Sequence, residues 1–465
     1  MSRFFTVDQE DPMKTLCRMV KDTNFGDLPG NVIDKAKHCV MDTMAVIIGG
    51  SIMEGIPAVV DLVKARGGKP ESFIPFYGGK VPAPEAGLAI GPMARAMDFG
   101  DVHEEAGHCS EYTLPALIAA TGLKEKVTGK EFLVSFIVGQ EVLIRIGMGW
   151  KVSISFPLGQ GEGHAIFGTV AAVGKLLGLE LEQLENDTGI ARTMTQPHDL
   201  VMFGPATLVG RIHHGFICQD AINVCLLSQR GITGPREEIL SGQRGYFNMA
   251  RWETDSAATS KDLGERWELL NLMIKPYACC KVLRTAIDAL LDQMKEHEFQ
   301  VEYIASIQID ESSPGWQMCL PKELKWNPRT VVECQFSLPY AVASAAYNKD
   351  LFLDAYTSQT MARRDICDLM TRIFAAEDPS LPDLAARVNT TLKDGKKISS
   401  QSINVKGHPD TPMTEQELID KFKRRVLYSA YKLSHEAVDS VIMAIVKLDK
   451  VDDLVDALIL PLIPN

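Results

Sequence analysis

The sequence predicts a mostly α protein that carries a smaller α+β unit, and three observations lead there. From about residue 10 to 270, apolar residues recur at i, i+3, i+4 and i+7, the period of packed helices. Between 270 and 408 that period gives way in places to strict alternation, the signature of half-buried strands. Helical patterning then resumes at Thr414. The predicted boundaries are 1–269 plus 409–465 for helix, and 270–408 for the α+β unit.

Each element has its own reason. Asn31 to Ile48 and Thr128 to Ile146 carry the apolar stripe. Thr128 with Glu131 makes a capping box, in which each side chain satisfies an orphan backbone donor. Pro84 to Met97, Thr113 to Leu123, Ile166 to Leu177 and Phe216 to Arg230 are rich in small residues, which lets helices approach closely. Val282 to His297 is an amphipathic helix. In Tyr303 to Asp310, Ile307 and Ile309 alternate with Gln308 and Asp310, so a strand is predicted. Gln335 to Tyr347 is another helix and Ile398 to Val405 a short strand. Gly407 to Met413, with Pro409 and Pro412, is the best linker. Thr414 and Glu417 repeat the capping box, and Ser434 caps the helix after it.

The 465 residues include 48 basic and 60 acidic ones, a net charge of −12. Such a surface repels polyanions, so nucleic acid is not expected as a partner. An anionic substrate must be drawn in by a few cations converging inside a cleft. The ten cysteines include no C-x-x-C pair and no zinc-finger spacing, and Met1 to Glu10 has no apolar signal region. Reduced thiols and a cytoplasmic location are the expectation. Phe132 to Trp150 is apolar but interrupted by Gln140, Glu141 and Arg145, so it reads as a buried helix and no membrane partner is expected.

Three near-motifs fail. Gly168 to Lys175 imitates a phosphate loop, but its spacing is one residue too long and Leu176 stands where a hydroxyl belongs. Gly159, Gly161 and Gly163 lack the third glycine of a dinucleotide fingerprint, whose place His164 takes. His103 and His108 are five apart, so on a helix they would point about 140° from each other and could not share a zinc ion. No metal site and no cofactor is expected.

Four polar constellations remain. Asp98, Asp101, His103, Glu104, Glu105 and His108 put four carboxylates and two imidazoles within eleven residues. That density can hold neighbouring groups in different protonation states, as acid–base catalysis requires, or it can be a solvated, helix-capping loop. His164 with Glu162 precedes a helix, either as a functional pair or as a satisfied structural histidine. Arg211, His213 and His214 offer three cations in four residues, or a solvated helix start. Lys275 and Tyr277, before Cys279 and Cys280, sit where the pattern changes and could clamp a carboxylate between the two parts.

The stretches MARAMDFGDVHEEAGHCSEYTLPALIAA (93–120), HAIFGTVAAVGKLLGL (164–179), GRIHHGF (210–216), QRGITGP (229–235) and KPYACC (275–280) resemble the MmgE/PrpD family in order along nearly the whole chain. That family includes 2-methylcitrate dehydratase, cis-aconitate decarboxylase and iminodisuccinate epimerase. The resemblance implies one large helical domain built from the amino-terminal part and the tail, an inserted α+β lid, an active site between them, and a homodimer without cofactor. It carries the family's first and last site aspartates onto Asp98 and Asp101, the site histidine onto His108, and the lid lysine onto Lys275. Four positions depart. Gly100 replaces the middle aspartate and Val102 the following threonine. Gly210 stands for the site lysine beside Arg211, and either His164 or Glu162 fills the second histidine position.

The implied reaction is proton removal or CO₂ loss at a carbon next to a carboxylate, on a small di- or tricarboxylate. On this reading Asp98, His108, His164 and Lys275 are catalytic, and Asp101, His103, Arg211, His213 and Tyr277 bind substrate. A lyase is the first expectation and an epimerase or racemase the second. The third is a relative that binds without catalysing, because Arg211 cannot donate a proton as the missing lysine would.

Overall fold

The computed structural model describes residues 10–150, 162–195, 207–249 and 253–464. Among the described residues, nine helices of the amino-terminal part form the bulk of the body. They are α1 (Pro12–Asp22), α2 (Gly30–Gly50), α3 (Ile56–Arg66), α4 (Ala83–Arg95), α5 (Ser110–Ala120), α6 (Gly129–Met148), α7 (Ala165–Leu176), α8 (Leu181–Ala191) and α9 (Val209–Ser228). Thr128 caps α6 as its spacing predicts, accepting from Glu131 N while the Glu131 carboxylate accepts from Thr128 N. The small residues act as expected where α4 crosses α9. A Cβ on Gly91 would lie 2.8 Å from the Gly215 backbone, so a larger residue would force these helices apart.

Two short hairpins decorate the body. One pairs β1 (Ser72–Phe73) with β2 (Lys80–Val81), and the other pairs β3 (Val102–His103) with β4 (Gly107–His108). The second matters for function, because it hangs between α4 and α5 and turns back at Gly107, whose φ of 75° only glycine adopts freely.

A second hydrophobic core begins at Ala278 and runs to Ile398. Two of its helices are α10 (Arg284–Glu296) and α11 (Leu338–Asn348). They accompany a four-stranded sheet ordered β6–β5–β7–β8, made of β5 (Ile304–Glu311), β6 (Ile373–Glu377), β7 (Ala386–Leu392) and β8 (Lys397–Ser402). β5 runs parallel to β6 and antiparallel to β7, with Ile307 opposite Ile373 and Ile309 opposite Val388. Alternate residues of β7 are buried, so one face of the strand packs and the other is more open.

The tail returns to the body as α12 (Glu415–Val426) and α13 (His435–Val446), whose Leu418, Phe422, Val441 and Ile445 join the same core as Val40 of α2. The two cores meet at Val46 of α2 and at the connection after α4. Met97 and Phe99 come from the connection after α4, yet they pack in the second core, and the Phe99 ring lies edge-on to Phe352 at 5.4 Å. Among the described residues no helix is long and apolar enough to cross a membrane. The fold is the mostly α architecture with a smaller α+β part that the sequence predicts.

Candidate active site

The residue between Met97 and Phe99 is Asp98, so the seam between the cores fixes it on both sides. Its φ of 48° is in the left-handed region, a strained conformation for a residue with a side chain. The turn aims the carboxylate inward, where it is only 3% exposed. Asp98 Oδ1 accepts from Arg95 Nη1 and from Lys275 Nζ at 3.0 Å, and lies 3.3 Å from His108 Nε2. Lys275 Nζ also donates to the Asp98 carbonyl at 3.1 Å. Burial alone would raise the Asp98 pKa, but Lys275 and Arg95 outweigh it and hold the group below the usual carboxylate range.

Lys275 reaches this point on a segment threaded through the body. Met273 exchanges both backbone hydrogen bonds with Val102 of β3, and Ile274 N donates to Gly407 O. Lys421 of α12 donates to the Lys275 carbonyl, lies 2.6 Å from Asp42 of α2, and stands over the Phe99 ring at 4.3 Å. Arg425 covers the same ring at 3.8 Å and donates to Phe99 O. The tail thereby clamps the backbone on either side of the Asp98–Lys275 pair.

His108 closes β4 and faces two carboxylates. Its Nε2 points to Asp98, and its Nδ1 lies 3.1 Å from Glu111 Oε2. Its backbone N–H donates to Glu162 Oε1 at 2.7 Å. Burial, followed by Arg95, pushes the imidazole down to about 3, so it is neutral at physiological pH. Glu111 sits in the first turn of α5 and is fully buried. Its Oε1 accepts from Gly100 N at 3.1 Å, while Oε2 has His214 Nε2 at 3.5 Å and Arg95 Nε at 4.0 Å. Burial, opposed by Arg95 and Lys275, pushes its pKa up to about 7.

Behind His108 lies a second layer. Glu162, itself at φ 52°, accepts from the Tyr112 hydroxyl at 2.6 Å through Oε2. The Tyr112 oxygen is 3.3 Å from His213 Nε2, and its ring stacks on His214 at 3.8 Å. Glu162, His213 and His214 bring one donor atom each within 4.8 Å of one another, a spacing a divalent cation could bridge. Both Glu162 oxygens are already engaged, by His108 N and Tyr112.

Of the predicted site residues, the fold gathers Asp98, His108 and Lys275 within hydrogen-bond reach of one point. His213 stands behind them through Tyr112. Asp101 instead secures the start of α5, where its carboxylate accepts from Ser110 N at 3.0 Å and from the Ser110 hydroxyl. His103 Nδ1 accepts from Glu105 N and Ala106 N, which ties the hairpin turn. His164 is completely buried against Gly147, beside the backbone of Ala106. Burial pushes it down to about 4. The Tyr277 hydroxyl donates to Asp288 of α10 at 2.6 Å. Arg211 is 6% exposed and forms no ion pair among the described residues, and its Nη1 donates to Glu54 O at 3.5 Å. Gly159 and Gly161 of the failed glycine motif lie outside the described residues.

Sequence reasoning missed Arg95, Glu111, Tyr112, Lys421 and Arg425. Arg95 had a readable signal, since it stands three residues before Asp98 at helical spacing. Glu111 had none, because an acid in the first turn of a helix is ordinary.

Comparison with known proteins agrees with this architecture. Residues 14–255 match the MmgE/PrpD N-terminal domain and residues 277–448 the MmgE/PrpD C-terminal domain. The chain belongs to the MmgE/PrpD family. The cis-aconitate decarboxylase-like protein oryM of Aspergillus oryzae is 26% identical over 460 residues, covering 91% of each chain. A cis-aconitate decarboxylase of Aspergillus terreus is 22% identical over 479 residues, 96% of this chain and 95% of the relative. That of Mus musculus is 22% identical over 456 residues, 94% and 90% respectively. The lyase of this family expected from the sequence agrees with both matches and with these relatives.

Proposed function

We propose that this chain is a cofactor-independent lyase that removes CO₂, or water, from a small tricarboxylate of the cis-aconitate type. The observation that carries the reading is the Asp98–Lys275–His108 contact: a buried, charged pair next to a buried, neutral imidazole. The relatives named as cis-aconitate decarboxylases support the substrate class.

The roles follow from charge and geometry. Lys275 and Arg211 take substrate carboxylates, Arg211 because it is a buried cation with no ion pair among the described residues. Asp98 and Arg95 hold Lys275 in place. As CO₂ leaves, electrons accumulate on the adjacent carbon, and the cations stabilise that charge in a dry site. His108, neutral and within reach of Asp98, exchanges the proton. The second core acts as the lid, since Met97 and Phe99 couple its position to Asp98. A homodimer in the cytoplasm completes the reading, supported by the family resemblance and the reduced-thiol cysteine pattern.

The test is incubation with cis-aconitate and related acids in D₂O, followed by NMR. A new alkene with loss of CO₂, or dehydration, supports the lyase. Exchange of the α-proton without net loss replaces it with an epimerase. Saturable binding with neither outcome replaces it with a binding protein.

A further inference from the structure

We infer that Glu111 is a positioning residue that supplies His108 with the proton His108 delivers to the substrate carbon. This rests on the lyase reading and adds the source of the proton, which Arg211 cannot provide in place of the lysine absent at Gly210.

Geometry carries the argument. Glu111 Oε2 and His108 Nδ1 are 3.1 Å apart, with His214 Nε2 at 3.5 Å and Arg95 Nε at 4.0 Å from the same oxygen. His108 Nε2, the opposite ring nitrogen, faces Asp98 at 3.3 Å, and Lys275 Nζ meets the same carboxylate oxygen at 3.0 Å. An imidazole held this way passes a proton through, one nitrogen receiving as the other gives. Room for Glu111 is built in. A Cβ at residue 100 would lie 2.4 Å from Glu111 Oε1, and the bare Gly100 N–H instead donates to that oxygen. The groups facing Glu111 are Arg95 on α4, Asp98 and Asp101 on the connection after it, and His108 on β4. Tyr112 on its own helix, His214 on α9, Lys275 and Arg425 on α12 complete them. The net result, with burial leading, is a carboxyl pushed up to about 7, so much of it is protonated near neutrality.

The step balances. The C–C bond to the departing carboxylate breaks, CO₂ leaves, and the bonding electrons remain on the substrate carbon. That carbon forms a C–H bond with the proton of His108 Nε2, and the N–H electron pair stays on Nε2. Nδ1 takes the Glu111 proton, which leaves a neutral imidazole and a Glu111 carboxylate. One proton from water at Nε2, with return of the Nδ1 proton to Glu111, restores the start.

Two independent readouts test this. Glu111→Gln keeps the shape but cannot give up a proton, so kcat should fall about 100-fold while KM moves less than about threefold. Wild-type kcat should decline as pH rises through about 7 and Glu111 ionises. That limb should be absent in Glu111→Gln and retained in Glu111→Asp. Gly100→Ala, which displaces Glu111, should reproduce the Glu111→Gln profile and add nothing to it in the double variant. An unchanged kcat and alkaline limb in Glu111→Gln overturns the inference. The second readout needs no substrate and no variant to fold. With ¹⁵N-labelled histidine, wild-type His108 should show the Nε2–H tautomer and a shift of Nδ1 through pH 7. A flat Nδ1 signal overturns the relay. Titration of Nδ1 without turnover of any tricarboxylate overturns the lyase reading alone.

Discussion

Asp98 and Glu311 are both carboxylates sealed away from water, one at the seam of the two cores and one at the end of β5, and the chain treats them oppositely. Asp98 is surrounded by Arg95, Lys275 and His108, which hold it ionised despite burial. Glu311 has no hydrogen-bond partner at either oxygen among the described residues, and burial raises its pKa well above the ordinary value. Its carboxyl packs against Gly315, where a Cβ would fall 2.0 Å from Oε2. Burial by itself therefore neutralises a carboxyl here, and the fold keeps charge only where it also places cations. That expenditure of buried cations is concentrated where an anionic substrate would be handled.

The sharpest way to break the contrast is to strip Asp98 of its role. Asp98→Asn leaves Lys275 and Arg95 buried without their shared counter-charge, and His108→Gln removes the exchangeable proton. Each should lower turnover about 100-fold or more. Asp98→Asn should also lower the melting temperature, because it uncouples a buried pair, a loss of about 3–5 kcal/mol where it is complete. Near-native turnover in both variants would remove the site from this seam. Lys275→Ala comes next. It should raise KM steeply by deleting a carboxylate anchor, and lower kcat if the ammonium also holds the developing charge. An unaltered KM would leave Lys275 with a purely structural bond to Asp98.

Glu311 sharpens the other side of the contrast with a smaller effect. Its folded pKa is raised, so its favourable share of stability is complete below the unfolded value of about 4.5 and is lost as pH rises through the raised folded value. Glu311→Gln should therefore be the more stable protein at alkaline pH. Relative to wild type, the melting temperature should gain about 2 °C or more between pH 5 and pH 9. A constant difference across that range would show that Glu311 finds a counter-charge in solution.

Much of the fold was legible because periodicity is local. Both capping boxes and the strand over β5 follow from residues a few positions apart. Strands β6 and β7 were not read, since IFAAE and ARVNTTL are short, and β6 carries little alternation. That Asp98, His108 and Lys275 come together was anticipated through the family resemblance, which carries the site aspartate, histidine and lysine onto them. The site was illegible wherever role depends on long-range packing. His103 and Asp101 belong to the same polar run as His108, yet the hairpin spends them on its own turn and on the start of α5. Lys421 and Arg425 look like a solvated helix face until α12 is laid on α2 and Phe99.

The smallest expected effect is none at all, and it concerns the layer behind His108. Glu162, His213 and His214 are close enough to share a cation, with donor atoms within 4.8 Å. A zinc or similar ion there would compete for Glu162 with the Tyr112 hydroxyl and His108 N, from which it accepts at 2.6 and 2.7 Å. Loss of the second contact would release the backbone of His108, whose position sets the distance to Asp98 and Glu111. A bound metal should therefore disturb the proton-transfer geometry rather than serve it. Exhaustive dialysis against a chelator should leave kcat, KM and the melting temperature unchanged, and metal analysis of the untreated protein should find less than one equivalent. Loss of activity on dialysis, restored by zinc, iron or magnesium and abolished in Glu162→Gln, would make those three residues a metal centre and overturn the cofactor-independent reading.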